Sequence, residues 1–108
     1  MNTDQAKSVA QRHGSHWFDA SSMRFFNSRV LESTWTQVLE TLDEKVYRFI
    51  SSERFEDDPR RYTVHEFRVS PLRAFVPVKT VTVNTVGKFQ QYATARQALA
   101  HIHDEEVS

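Results

Sequence analysis

The clearest pattern of apolar and polar positions lies in the middle of the chain, between Lys45 and Phe67. From Val46 to Ser51, apolar residues fall on both sides of an extended chain, because successive strand side chains point to opposite faces. A strand that is apolar on both faces is typical of the interior of a sheet. The polar run Glu56–Pro59 suits a turn, since Asp side chains cap backbone amides and Pro ends strand pairing. The pattern therefore predicts a β-hairpin at the centre of the fold.

The return strand of this hairpin, predicted from Arg60 to Val69, is rich in β-forming residues. Its apolar positions change phase halfway along, because Tyr62 and Val64 alternate out of step with the apolar residues that follow. One extra residue near His65 or Glu66 would restore the phase, so we expect a β-bulge there.

Two further strands flank the hairpin in the predicted order. The first runs from Arg29 to Glu40 and is expected to be irregular near Ser33-Thr34, where its alternation is interrupted. The second begins near Val78, resumes the alternation of a strand, and is expected to bend at Gly87.

Helical signals occur at both ends of the chain. Residues Thr3 to His13 carry apolar residues at helical spacing, and Asp19 suits the N-cap of a short helical turn. Near the other end, Thr94 and Gln97 form a capping box, followed by a stripe that includes Leu99. The order of elements predicts an α+β domain over residues 1–108. We expect an antiparallel sheet of three to four strands with an N-terminal and a C-terminal helix packed on it, both on one face.

The predicted core gathers the large apolar residues of these elements, namely Tyr47, Phe49, Ile50, Tyr62, Val64, Phe89, Leu99 and Ile102. A second apolar cluster, the densest in the chain, comprises Trp17, Phe18, Met23, Phe25 and Phe26. This cluster either closes one end of the sheet or forms an exposed binding surface. Because exposed apolar clusters are rare in soluble proteins, we favour the first interpretation.

Composition narrows the chemistry that the chain can perform. It contains no Cys, so disulfides and thiolate chemistry are excluded, and its five His are poorly spaced for zinc. The chain carries neither a Gly-rich phosphate loop nor the nucleophile motif of a hydrolase, although a Ser-His-Asp group would assemble only in space. We expect no metal, no cofactor and no enzymatic activity. The polar N-terminal segment and the lack of a long apolar run predict a cytoplasmic protein without membrane attachment.

Five segments of the chain occur in an order that is familiar from one group of proteins. They are His16-Trp17-Phe18, Ser22–Val30, Tyr47–Glu53, Pro59–Val64 and Gly87–Thr94. Together they resemble a family of small proteins of unknown function that bacteriophages, prophages and plasmids carry. The resemblance implies an accessory gene of a mobile element, with a role in host modulation or counter-defence. It implies no functional residues.

Lys plus Arg and Asp plus Glu both total 14, but the basic residues concentrate between Arg60 and Arg96, where Glu66 is the one acidic residue. Ten of the basic residues are Arg, whose planar fork suits carboxylates and phosphates. We hypothesise that Arg60, Arg61, Arg68 and Arg73 share an exposed face that contacts a partner.

The partner of this face belongs to one of two classes. The first is a host or defence protein, because small mobile-element proteins without active sites act by occupying a surface. The second is nucleic acid, bound by the Arg-rich half of the chain from Arg60 to Arg96, with phosphates on the Arg side chains and bases stacked on Tyr62, Phe75 or Tyr92. The zero net charge, together with an acidic turn next to Arg60 and Arg61, favours protein.

Overall fold

The computed structural model describes residues 2–13, 18–70 and 80–103, which form a four-stranded antiparallel sheet and three short helices. The elements are α1 (Thr3–Arg12), α2 (Ala20–Phe25), β1 (Arg29–Glu40), β2 (Lys45–Glu53), β3 (Arg61–Ser70), β4 (Thr80–Val86) and α3 (Ala95–Ala100). The sheet order is β1-β2-β3-β4, so every strand pairs with its neighbours in sequence. The predicted α+β class is confirmed.

The central hairpin pairs without interruption. Residues 45–53 of β2 face residues 69–61 of β3 in one continuous register, and β3 pairs with β4 equally regularly. The predicted bulge near His65 or Glu66 is therefore wrong. Strand β3 is buried on both of its faces around these two residues, so its apolar side chains do not need to share one side.

Strand β1 is irregular where its sequence predicted irregularity. The register with β2 shifts between Leu31 and Thr36. Within this interval the Thr34 hydroxyl donates to the Leu31 carbonyl at 2.6 Å and accepts from the Ile50 amide at 2.8 Å. The Thr34 side chain thereby takes the place of a backbone partner, which satisfies a buried amide that the bulge would leave unpaired.

Helices α1 and α3 lie on opposite faces of the sheet, which corrects the expectation that the N-terminal and C-terminal helices share one face. On the first face, Phe49 and Phe67 pack against Ala6 and Ala10 of α1. On the second face, the cluster around Ile50 contains the two buried residues of the C-terminal segment, Ala98 and Ile102. Because the adjacent β2 residues Phe49 and Ile50 point to opposite faces and are both fully buried, a separate helix covers each face.

The predicted core is confirmed for three residues of the two interior strands and for one residue just after α3. Phe49, Ile50, Val64 and Ile102 are buried, whereas Tyr47 and Tyr62 are half-buried. Two predictions are wrong, because Phe89 is 42% exposed and Leu99 is 49% exposed. Phe89 lies in the loop after β4 has ended, and the short α3 buries only its inner side.

The starts of the helices follow the sequence signals. Asn2 caps α1 together with Gln5, Asp19 caps α2, and Thr94 caps α3 by accepting from the Gln97 amide at 3.2 Å. The Gln97 side chain accepts from the Ala93 amide at 3.1 Å instead of the Thr94 amide, so half of the predicted capping box forms. None of the helices in the described part of the chain combines the length and the apolar character that crossing a membrane requires.

Candidate functional site

Four phenylalanines lie together at the end of the sheet where β2 ends and β3 begins, and we call this group the aromatic patch. It consists of Phe25, Phe26, Phe55 and Phe89. The ring centroids of Phe25 and Phe26 are 4.8 Å apart, those of Phe25 and Phe55 5.6 Å, and those of Phe26 and Phe89 5.1 Å. Phe25 is 64% exposed, Phe89 42% and Phe55 39%, whereas Phe26 is half-buried, so three of the four touching rings face solvent.

Three separate segments present these rings: the end of α2, the turn between β2 and β3, and the loop between β4 and α3. Each segment has a residue with positive φ directly after a patch phenylalanine, namely Asn27 (φ 46°), Glu56 (φ 51°) and Gln90 (φ 58°). This conformation is unfavourable for residues with a side chain, and it persists where the surrounding contacts impose it. Such backbone conformations cluster at functional sites.

Two of the arginines chosen from the sequence hold these segments together. The Arg60 guanidinium donates to the carbonyls of Asn27 at 2.6 Å and Ser52 at 3.0 Å. Arg61 donates to the carbonyls of Gln90 at 2.7 Å and Gln91 at 3.0 Å. Both side chains therefore fix the backbone next to patch residues, because a guanidinium offers several donors in a rigid fork.

Among the described residues, the acidic turn after Phe55 forms no ion pair with Arg60 or Arg61. Its ion pair in the described part of the chain joins Asp57 to Arg54, with 3.5 Å between nitrogen and oxygen. Glu56 and Asp58 are exposed. The turn therefore adds negative charge to the rim of the aromatic patch.

The other two arginines of the hypothesis do not join this site. Arg68 lies on the opposite sheet face from Arg61 and about 24 Å further along β3, at the strand rise per residue. Both of its contacts at Glu44 are 2.8 Å long, and a third contact at Glu66 is 3.3 Å long. The hydrogen bond that Arg68 donates to the Glu44 carboxylate raises the pKa of Arg68. Arg73 lies outside the described residues.

The dense apolar cluster of the sequence divides between core and surface. Phe18 is buried and stacks on Phe49 with 6.1 Å between ring centroids, and Met23 is half-buried against the same core. Phe25 and Phe26 instead belong to the aromatic patch. Trp17 lies outside the described residues. The preferred interpretation, in which the cluster closes one end of the sheet, is therefore right for Phe18 and wrong for the exposed Phe25.

Sequence reasoning missed Phe55 as a site residue and assigned Phe89 to the core. Both are isolated phenylalanines in polar loop sequences, Arg-Phe-Glu and Lys-Phe-Gln. A large apolar residue in a polar turn is the signal that could have identified them.

A buried polar network lies beneath the patch and comprises Ser51, Glu53, Thr63 and His65, all fully buried. The Ser51 hydroxyl contacts Glu53 and lies 2.7 Å from Nε2 of His65, and Thr63 donates to Glu53 at 2.9 Å. The Gln90 amide donates to the Thr63 hydroxyl at 2.8 Å, which connects the network to the loop that carries Phe89. Burial lowers the pKa of His65, and Glu53 opposes this shift.

The order of these side chains differs from that of a catalytic triad. A nucleophilic serine requires the imidazole between the hydroxyl and the carboxylate, and an Oγ that substrate can reach. Here Ser51 lies between Glu53 and His65, and its side chain has no contact with solvent. The arrangement pairs the buried Ser51 and Thr63 hydroxyls with the Glu53 carboxylate, which stabilises the end of the sheet.

A second charged group lies on the α3 face of the sheet. Arg48 and Glu66 form a buried pair at 3.3 Å, and Arg48 also donates to the Ile102 carbonyl at 3.1 Å. A shallow pocket of about 190 Å³ adjoins them, with Val46 and His103 in its lining. No group of three His, Asp or Glu side chains in the described residues could hold a metal ion.

These features define a small α+β domain with a four-stranded meander and an aromatic patch at one end. A family model described as a family of unknown function, DUF7447, matches residues 2–103. The chain belongs to this family. No curated protein and no solved structure matches the chain.

Proposed function

We propose that this protein acts in the cytoplasm by binding another protein through the aromatic patch, without catalysing a reaction. The observation that carries the proposal is the contact among four phenylalanine rings on three fixed loops, of which three rings are exposed and Phe26 is half-buried. The partner we propose is a host or defence-system protein, since the resemblance described above implies an accessory gene of a bacteriophage, prophage or plasmid.

The energetics of the patch support a protein partner. Monomeric proteins rarely expose large contiguous apolar patches, and burial of such a patch by a partner stabilises the complex by about 25 cal/mol per Å². Aromatic residues dominate binding hot spots because they bury a large area at a small cost in conformational entropy. The loops are already fixed by Arg60 and Arg61, so little further ordering is required on binding.

The charges around the patch favour protein over nucleic acid. Exposed Arg24 and Lys88 each precede a patch phenylalanine and add positive charge, while exposed Glu56 and Asp58 add negative charge after Phe55, a mixture that suits the polar rim of a protein interface. A site for single-stranded nucleic acid instead combines a basic groove with separate stacking platforms. The carboxylates next to Phe55 would repel phosphates.

The tyrosines considered for base stacking also have other contacts. Tyr62 and Tyr92 are half-buried against the core on the α3 side, where their backbones pair with each other. Phe75 lies outside the described residues.

Paired variants test this proposal. The double variant Phe25→Ser, Phe89→Ser removes the two most exposed rings, and Leu42→Ser removes an apolar side chain that is 84% exposed in the turn between β1 and β2. A host protein recovered with the wild type and identified by mass spectrometry is purified, and its affinity for each variant is measured by calorimetry. We expect at least about a tenfold loss for the double variant, as for hot-spot residues, and no loss for Leu42→Ser.

Equal affinity of the wild type and the double variant for every purified partner would refute the proposal. The nucleic-acid alternative has its own measurement, the anisotropy of a labelled single-stranded oligonucleotide at low and moderate salt. Tight binding with a steep salt dependence would assign the patch to nucleic acid instead.

A further inference from the structure

The two edges of the sheet differ in how they are protected against pairing with another strand. β1 carries the charged residues Arg29, Glu32 and Glu40, and its register is broken twice. β4, the opposite edge, has the sequence TVTVNTV, with no charge and no Pro, and its pairing with β3 is unbroken. Charges and irregularities are the usual means by which edge strands avoid other chains, so β4 is an unprotected edge within the described part of the chain.

The hydrogen-bond pattern between β3 and β4 determines which backbone groups of β4 point away from the sheet. Tyr62 and Tyr92 exchange both of their backbone hydrogen bonds, at 2.8 and 3.1 Å. Even-numbered residues of β3 therefore direct their N–H and C=O groups toward β4, because strand backbones alternate. Their partners on β4 are also even-numbered, such as Thr82 and Asn84. Hence Val81, Val83 and Thr85 direct their backbone groups outward, and no described residue bonds to them.

We infer that β4 pairs antiparallel with β4 of a second copy of this chain, about a two-fold axis at Val83. In this register Val83 pairs with the same residue of the second copy, and Val81 pairs with Thr85 in both directions. Each such pair exchanges two hydrogen bonds, so all six outward groups are satisfied. The register also keeps Val81 and Val83 of both copies on the face that α1 covers.

The second copy is favoured over another extended segment because β4 complements itself. Its outward residues are symmetric about Val83, and the pairing brings no like charges together. The product is one continuous eight-stranded sheet in which both aromatic patches stay at the ends of strands and contribute no residue to the new strand pairs. This surface is separate from the site of the proposed function.

Sedimentation velocity of three proteins tests the inference. Asn84 and Gln37 are both exposed, so Asn84→Lys adds a charge to the unprotected edge, and Gln37→Lys adds the same charge to β1. We expect the wild type and Gln37→Lys to pass from monomer to dimer between about 10 and about 500 µM, as suits a small interface. We expect Asn84→Lys to remain a monomer, because an edge Lys opposes pairing.

Amide hydrogen exchange locates the contact. Exchange at Val81, Val83 and Thr85 should slow as the wild type is concentrated and should stay fast in Asn84→Lys. A wild type that is monomeric throughout would overturn the inference. So would a dimer that persists in Asn84→Lys, or one that is lost in Phe25→Ser, Phe89→Ser and kept in Asn84→Lys, since each places self-association elsewhere.

Discussion

Replacing Phe49 by Ala removes the side chain at the centre of the core beneath α1. Phe49 is fully buried, and its ring stacks on Trp35 with 4.4 Å between centroids, on His65 at 5.1 Å and on Phe18 at 6.1 Å. Truncating a buried Phe costs about 3 to 5 kcal/mol through lost burial and the cavity that remains. Aromatic pairs add about 0.5 to 1.5 kcal/mol each beyond burial, so we expect a loss in the upper part of that range.

A loss of this size is a large part of the stability of an ordinary domain. Urea unfolding followed by circular dichroism gives the free energy of unfolding for the wild type and the variant. The matched control is Phe25→Ala, which makes the same chemical change at the most exposed ring of the aromatic patch. We expect the control to lose less than about 1 kcal/mol, as surface substitutions do.

The comparison of the two variants decides whether this description of the core holds. A loss below about 1.5 kcal/mol for Phe49→Ala would show that the site collapses or that the stacked rings contribute little. Equal losses for Phe49→Ala and Phe25→Ala would contradict the assignment of one ring to the core and the other to the surface.

Three further predictions concern the charged side chains. Burial holds the pKa of His65 below its usual value of 6.5. As the pH falls below 6.5, the unfolded chain therefore binds a proton at this side chain before the folded chain does. The free energy of unfolding then decreases by at most about 1.4 kcal/mol per pH unit. In urea unfolding at several pH values, His65→Gln should show a weaker pH dependence, and an unchanged slope would contradict the prediction. Replacing Arg60 and Arg61 by Ala should weaken partner binding and lower the free energy of unfolding by about 1 to 3 kcal/mol, because charge-assisted hydrogen bonds to the loops are lost. Unchanged partner affinity in calorimetry would show that neither arginine contributes to the binding site. Replacing Arg48 by Ala should lower the free energy of unfolding by about 3 to 5 kcal/mol in the same assay, because the buried Glu66 carboxylate loses a partner. A change within experimental error would show that water replaces the guanidinium.

The elements that sequence reasoning predicted well are those with local signals. Asp19 begins α2 because its side chain accepts from an amide three residues later, which requires no distant contact. The irregularity of β1 near Thr34 was likewise visible as an interruption of the alternation. The assignment of helices to faces was not visible, because an interior strand that is apolar on both sides does not specify which helix covers which side.

The aromatic patch could be predicted only in part. Phe25 and Phe26 were recognised as an apolar cluster, but the position of their rings depends on distant backbone. Asn27 takes positive φ readily, whereas Glu56 and Gln90 do not, and the Gln90 conformation accompanies its carbonyl contact with Arg61. Charge alone identified Arg60 and Arg61, but their contacts with carbonyls could be learned only from the fold.

The meander order of the strands has a consequence for how this protein folds. Every pair of adjacent strands is consecutive in sequence, so closing each pair costs the entropy of a single connection. The β2–β3 hairpin has an unbroken register and apolar residues on both faces, which makes it the expected nucleus, with transition-state structure concentrated there. Its outer neighbours then add one at a time, and refolding should be faster than for sheets whose strands pair across distant parts of the chain. Destabilising substitutions in this hairpin should slow folding, whereas those in β1 or β4 should mainly speed unfolding.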